Sequence, residues 1–334
     1  MTITFHNRLG MKISRRARYT IPAMACGLAM IVALQIVCAK DALLSELQKS
    51  QATEGLSIVS TNADSAAVFF FGDNKFHETR ILPSGVVGRD ARLSEDGEQV
   101  AFGLFEHPSD LHQPTLLAVA SSDGTALRKF PTLQQPMMIC WSPGKDRLAL
   151  WASKTDSGST SKTSGLWTLQ VDTGESSLID VHASAVCPAW SPDGAKLVYS
   201  ANRAVSIYDT NAKNSRRLGD GDSATWSPDG KWIAVNKGKA YWLLDPQSGA
   251  GKVLFKQKNA FTPLWWSPDS QYVAYSTRVG VSLSVVEQAD LWVRRIPDGA
   301  EEKVLRFPWK GPIPNFQWVR SSPLFARARA KSAS

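Results

Sequence analysis

One short motif, repeated, limits what this chain can fold into. An apolar residue or Trp is followed by Ser-Pro-Asp-Gly and then by a run of β-forming residues. Trp190-Ser191-Pro192-Asp193-Gly194 precedes Leu197-Val198-Tyr199, and Trp226-Ser227-Pro228-Asp229-Gly230 precedes Trp232-Ile233-Ala234-Val235. Trp266-Ser267-Pro268-Asp269-Ser270 precedes Tyr272-Val273-Ala274-Tyr275, and Trp141-Ser142-Pro143-Gly144 precedes Leu148-Ala149-Leu150. A degenerate copy, Leu93-Ser94-Glu95-Asp96-Gly97, precedes Val100-Ala101-Phe102. The anchors at 93, 141, 190, 226 and 266 are 36 to 49 residues apart, the period of a four-stranded propeller blade. Pro fixes φ at the second position of a tight turn, Asp bonds local backbone, and Gly accepts the left-handed conformation that closes a hairpin. Trp ends the strand before the turn and can wedge between neighbouring sheets. The anchors Trp141, Trp190, Trp226 and Trp266 are therefore read as structural.

A weaker pattern follows each anchor: an apolar strand, a polar turn, then a strand ending in Leu or Phe. Leu166-Trp167-Thr168 leads to Leu178, Ser206-Ile207-Tyr208 to Leu218, and Tyr241-Trp242-Leu243 to Leu254-Phe255. Each repeat thus supplies four strands, A to D. Residues 56–83 hold three strand-like runs with no anchor before them. Phe316-Gln317-Trp318-Val319 reads as a strand A with nothing after it, Trp318 being its anchor. Joining the two ends completes a sixth blade and leaves no open edge. The expectation is an all-β, six-bladed β-propeller of four-stranded blades over residues 56–320, closed by the N-terminal strands and the C-terminal strand.

These repeats resemble the WD-like propeller repeats of the TolB family. TolB proteins carry an α/β domain before the propeller. Here residues 40–55 alone separate the leader from the first strand, with room for one short helix, so the resemblance covers the propeller part. It implies a scaffold that binds partner proteins, and no cofactor. Propellers of this kind also cap prolyl-oligopeptidase-type hydrolases, but no G-x-S-x-G elbow is present.

The first 39 residues read differently. Arg8, Lys12, Arg15, Arg16 and Arg18 precede an apolar run over 19–39, and no acidic residue occurs before Asp41. That order is a secretory leader, with Val37 and Ala39 at −3 and −1 of a cleavage after Ala39. An uncleaved membrane anchor, lipidation at Cys38 and twin-arginine export at Ser14-Arg15-Arg16 are the alternatives. The chain is expected in the periplasm, touching membrane only if 19–39 is retained. Five of its 38 basic residues lie in the leader, leaving 33 against 30 acidic ones. A balance this even, with no basic stripe, argues against nucleic acid as a partner. Residues 321–334 form a basic tail. Cys140 and Cys187 stand at odd offsets from their anchors, so in adjacent blades one faces the shared interface and the other faces away. No disulfide is expected.

Blade geometry puts the Ser-Pro-Asp-Gly turns on one face, and the D–A and B–C connections on the other. Three B–C connections read as long loops: 106–114, 153–165 and 276–289. Candidate binding residues at that second mouth are Arg89, Asp90, His182, Asp222 and Asn315. His107, Asp110 and His112 share one loop and have the side-chain types of a divalent-metal site. Two alternatives to the scaffold reading follow: a polysaccharide lyase or hydrolase with a metal at the channel mouth, and a membrane-tethered ligand sensor. No catalytic motif is found.

Overall fold

The computed structural model describes residues 43–319, except 44, 50–56, 62–64, 71–74, 108–114, 156–160, 184–187, 258–263, 283–284, 297–298 and 309–315. The leader and its cleavage site, the basic tail, Cys187, Asp110, His112 and Asn315 fall outside the described residues. No described helix is long and apolar enough to cross a membrane.

The chain is a ring of six antiparallel blades. It begins with β1 (Ser57–Thr61), β2 (Ser65–Phe70) and β3 (Lys75–Arg80). Blade 2 follows, with β4 (Gly88–Leu93), β5 (Gln99–Leu104), β6 (Leu116–Ser121) and the start of β7 (Arg128–Trp141). Blade 3 takes the end of β7, then β8 (Arg147–Thr155), β9 (Lys162–Gln170) and β10 (Ser176–Asp180). Blade 4 is β11 (Ala189–Trp190), β12 (Lys196–Ala201), β13 (Ala204–Asp209) and β14 (Asn214–Asp220). Blade 5 is β15 (Ser223–Trp226), β16 (Ile233–Lys237), β17 (Ala240–Leu244) and β18 (Gly251–Lys256). Blade 6 is β19 (Trp265–Trp266), β20 (Tyr272–Ser282), β21 (Val285–Arg295) and β22 (Glu301–Pro308). The last strand, β23 (Phe316–Val319), pairs antiparallel with β1 through Ser57↔Val319, Ile58↔Trp318, Val59↔Gln317 and Ser60↔Phe316. The two ends of the chain thus build one blade, in the order β23-β1-β2-β3.

Two expectations are corrected. The connections expected as loops over 153–165 and 276–289 are largely strand. In blade 3 the pairs Ser153↔Ser164, Lys154↔Thr163 and Thr155↔Lys162 continue the ladder, and the Ser153 and Ser164 hydroxyls share a 2.7 Å hydrogen bond. In blade 6 pairing runs to Ser282↔Val285, through a stretch with four valines, Val279, Val281, Val285 and Val286, suited to a pleated ribbon. Strand β7 serves two blades, fusing blades 2 and 3 into a seven-stranded sheet. It bends at Gln135 and Met138, which have φ of 51° and 53°, between register shifts.

Six clusters of buried apolar residues occupy the six blade-to-blade interfaces. Phe102 and Val319 meet between blades 1 and 2, Leu117 and Leu150 between 2 and 3, and Trp190 and Leu166 between 3 and 4. Val205 and Val235 pack between 4 and 5, and Tyr241 and Tyr275 between 5 and 6. At the last interface, between blades 6 and 1, Ile58, Leu291, Phe316 and Trp318 are joined by Leu43 and Leu47. Those two leucines belong to a short helix (residues 43 and 45–49) laid on the seam where the ring closes. Glu46 on the same helix pairs with Arg295 at 2.6 Å and accepts a hydrogen bond from Tyr272. Burial and Glu46 together push the Tyr272 phenol up to about 12. The inner strands are thus buried on both faces, which is why β5, β6 and β12 read as near-continuous hydrophobic runs, while the outer strands β10, β14 and β18 are exposed or half-buried along most of their length.

Candidate functional site: the channel and its turn-side mouth

The five Ser-Pro-Asp-Gly-type turns share one hydrogen-bond plan. The Ser hydroxyl is the hub. Ser191 Oγ donates to Asp193 Oδ1 at 2.5 Å and accepts from the Lys196 N–H at 2.8 Å, while Asp193 also accepts from the Ala195 N–H at 3.0 Å. Ser94, Ser227 and Ser267 repeat this with Asp96, Asp229 and Asp269. In blade 3, where Gly144 stands in place of Asp, Asp146 reaches back to Ser142 at 2.7 Å. All five serines are buried, at 0–3% exposure. Asp is the expected partner of the turn backbone; Ser, present in all five repeats, shares that bonding from a buried position.

These contacts favour the charged form of four of the turn carboxylates, Asp96, Asp146, Asp193 and Asp229. Ser191 and the Ala195 N–H lower the pKa of Asp193. At Asp96, Asp146 and Asp229 burial works upward but is outweighed. Lys145 and Ser94 lower Asp96, Ser142 and Arg147 lower Asp146, and Ser227 and Lys231 lower Asp229. The left-handed position of the turn is glycine in three repeats: Gly97, Gly194 and Gly230. Its two exceptions, Lys145 (φ 59°) and Ser270 (φ 60°), each reach the preceding blade's turn. Lys145 pairs with Asp96, and Ser270 Oγ accepts from the Asp229 N–H at 3.0 Å. The side-chain contact offsets the strain of a non-glycine residue there.

The anchor indoles stitch neighbouring blades. Trp141 Nε1 donates to the Arg92 carbonyl at 3.0 Å, Trp190 to Cys140 at 3.3 Å and Trp318 to Trp265 at 2.9 Å. Each acceptor immediately precedes the anchor of the blade before it. Gln317 adds a bond to the Leu93 carbonyl at 2.8 Å, and Arg147 stacks over the Trp190 ring, 4.7 Å from its centroid. The Trp226 and Trp266 indole N–H groups are buried without a partner among the described residues.

The strands A and these turns enclose an axial cavity in two joined parts. The shaft, about 270 Å³, is lined by Ile139, Cys140, Trp141, Trp265, Phe316 and Gln317 among others. Its mouth on the turn side, about 340 Å³, is walled by Trp190, Trp226, Trp266 and Trp318 and by the second residue of each turn: Glu95, Pro143, Pro192, Pro228 and Pro268. Glu95, Pro143, Trp190 and Trp318 line both parts. The anchors thus have two jobs: they wedge the blades apart and form the wall of the opening.

The residues expected to act at the opposite mouth lie apart from this cavity. Arg89 and Asp90 sit on β4 and pair at 3.7 Å. Asp90 has a φ of 52° within a bulge between Arg89 and Arg92. Burial of its carboxyl raises its pKa against the pull of those two arginines. His182 is exposed, and its backbone N–H is held by Asp180 at 2.7 Å. Asp222 is exposed, its N–H bonded to the Asn236 carbonyl. Among the described residues, no hydrogen bond or ion pair joins Arg89 or Asp90 to His182 or Asp222. His107 is exposed, and no group of three or more His, Cys, Asp or Glu among the described residues is placed to hold a metal.

No protein-family model matches the sequence, and no curated protein sequence matches it. Solved structures do match. TolB from Acinetobacter baumannii superposes with a TM-score of 0.56 at 18% identity, covering 79% of this chain and 66% of that one. A putative TolB from Agrobacterium tumefaciens gives 0.55 at 16% identity, covering 80% of this chain and 98% of that one. An oligogalacturonate lyase in complex with manganese, at 0.48 and 12% identity, is too distant to bear on the site. The chain has the propeller fold of the TolB structures.

Proposed function

We propose that this chain is an exported, envelope-side propeller scaffold that binds a partner protein over the turn-side mouth of its channel. The observation that carries the reading is the mouth itself. It is an open ring of Trp and Pro side chains of mixed polarity, continuous with a mainly apolar shaft, and a concave site on a stiff frame is the usual setting for recognition. The likeness to TolB propellers and the basic-then-apolar leader support the same reading.

The test is recovery of partners from a crosslinked cell-envelope extract, comparing the chain with a P192K/P268K variant. Glu95 occupies the equivalent turn position in blade 2, so the position accepts a residue other than Pro. The expected result is a partner recovered by the parent chain and lost with the variant, while the melting temperature changes little. A partner held equally by both would overturn the assignment of the mouth.

A further inference from the structure

The repeat breaks its own rule at one point on the mouth. The second turn position is Pro in blades 3 to 6, as Pro143, Pro192, Pro228 and Pro268, and Glu95 in blade 2. Among the described residues lining the mouth, Glu95 is the sole ionisable one. It is exposed and makes no hydrogen bond or ion pair to any described residue. Lys145 in the neighbouring turn is paired with Asp96 and Glu98, and Arg92, which lines the shaft below, is turned to the Ile139 carbonyl at 3.2 Å. A single carboxylate with no direct ion-pair partner among the described residues therefore stands among indole and pyrrolidine rings.

We propose that the mouth receives a basic side chain, Lys or Arg, from the partner protein, with Glu95 as its counter-ion. The inference rests on the reading of the mouth as a protein-docking site. Its basis is complementarity of charge and polarity. Lys and Arg carry an apolar stem and a cationic head. The stem suits the proline and tryptophan wall, indoles attract cations, and the carboxylate gives a charge-assisted hydrogen bond. A mouth of about 340 Å³ that continues into the shaft is larger than one ammonium group fills. This commits the site to a basic residue carried on a polypeptide rather than to a free amine.

The probes are the capped tripeptide acetyl-Gly-Lys-Gly-amide, its norleucine analogue, and n-butylammonium. The full chain is titrated while its indole N–H signals are followed by NMR. The lysine peptide is expected to shift the signals of Trp190, Trp226, Trp266 and Trp318, and to bind roughly tenfold more tightly than the norleucine peptide. E95Q should weaken it by about tenfold, and P143E, which adds a second carboxylate to the ring, should tighten it. E98Q, outside the mouth, should leave it unchanged. Equal binding of the two peptides, full affinity in E95Q, or no shift up to about 50 mM peptide would overturn the proposal. Butylammonium binding as tightly as the lysine peptide would replace the polypeptide ligand with a free amine. The outcomes separate from those of partner recovery: a partner lost in P192K/P268K but kept in E95Q leaves the scaffold standing and removes the cation site. Lysine-peptide binding with no partner recovered does the reverse.

Discussion

Ser227→Ala tests the claim that the repeat motif is built around a buried hydroxyl. Ser227 is fully buried; its Oγ donates to Asp229 at 2.6 Å and accepts from the Trp232 N–H at 3.0 Å. Alanine keeps the shape and removes both bonds. A hydrogen bond to a charged acceptor is worth about 1.5–3 kcal/mol and a stranded N–H costs about 1–3 kcal/mol, so the expected loss is about 3 kcal/mol. For a ring of this size that lowers the melting temperature by roughly 6 °C, read by circular dichroism. Asp229→Ala removes the same bond from the other side. The double variant should therefore lose less than the two single losses added, by about 1 kcal/mol or more. A melting point within about 1.5 °C of the parent, or strict additivity of the two changes, would refute the hub.

Four further outcomes are expected. Asp96, Asp146, Asp193 and Asp229 have folded pKa values below their ordinary 3.8, so their contribution is complete above that value and is lost as pH falls through the folded values; melting curves from pH 6 down to pH 2 should show an acid limb, and the deficit of S227A should shrink along it. Phe316→Ala removes a side chain 1% exposed that packs edge-on against Trp265 at 5.1 Å; denaturant unfolding should show a loss of about 3–5 kcal/mol. Gly221→Ala would put a Cβ 2.2 Å from Val235 Cγ1 at the junction of blades 4 and 5, and the same unfolding assay should show a cost of about 1–3 kcal/mol. Lys145→Gly relieves a left-handed residue but removes the Asp96 pair, so its melting point should stay near the parent's, whereas Lys145→Ala, which keeps the strain and loses the pair, should melt lower.

The blade plan was legible because its signals are local and periodic. Trp at the end of strand A, Pro and Gly in the turn, and an apolar strand after it recur at blade spacing. The orphan Phe316-Gln317-Trp318-Val319 strand could be matched to the unanchored residues near the N-terminus by closure alone. The extended hairpin of blade 6 was misread because Ser and Gly around Val279 and Val281 look like loop punctuation, while pairing to β21 is a non-local choice. Sharing of β7 between blades was missed for a similar reason: Pro136 between the bends at Gln135 and Met138 marks a break in the strand, but that one strand continues from blade 2 into blade 3 across it is a non-local choice. The site was harder. Long connections drew attention to the face bearing Arg89, Asp90, His182 and Asp222. The cavity instead opens among the turns, where Trp and Pro looked purely structural. Glu95 was visible as a lapse in the motif, but its place on the channel wall required the ring to be closed.

The most direct test of the account replaces Pro268, on the mouth, with a photocrosslinking amino acid, and in a second chain replaces Lys252, an exposed residue of strand β18 on the flank of blade 5. Irradiation in intact cells should give a discrete adduct from position 268 and none from position 252, and E95Q should reduce the first. Adducts from position 252 alone, or equally from both, would contradict the assignment of the turn-side mouth as the docking surface.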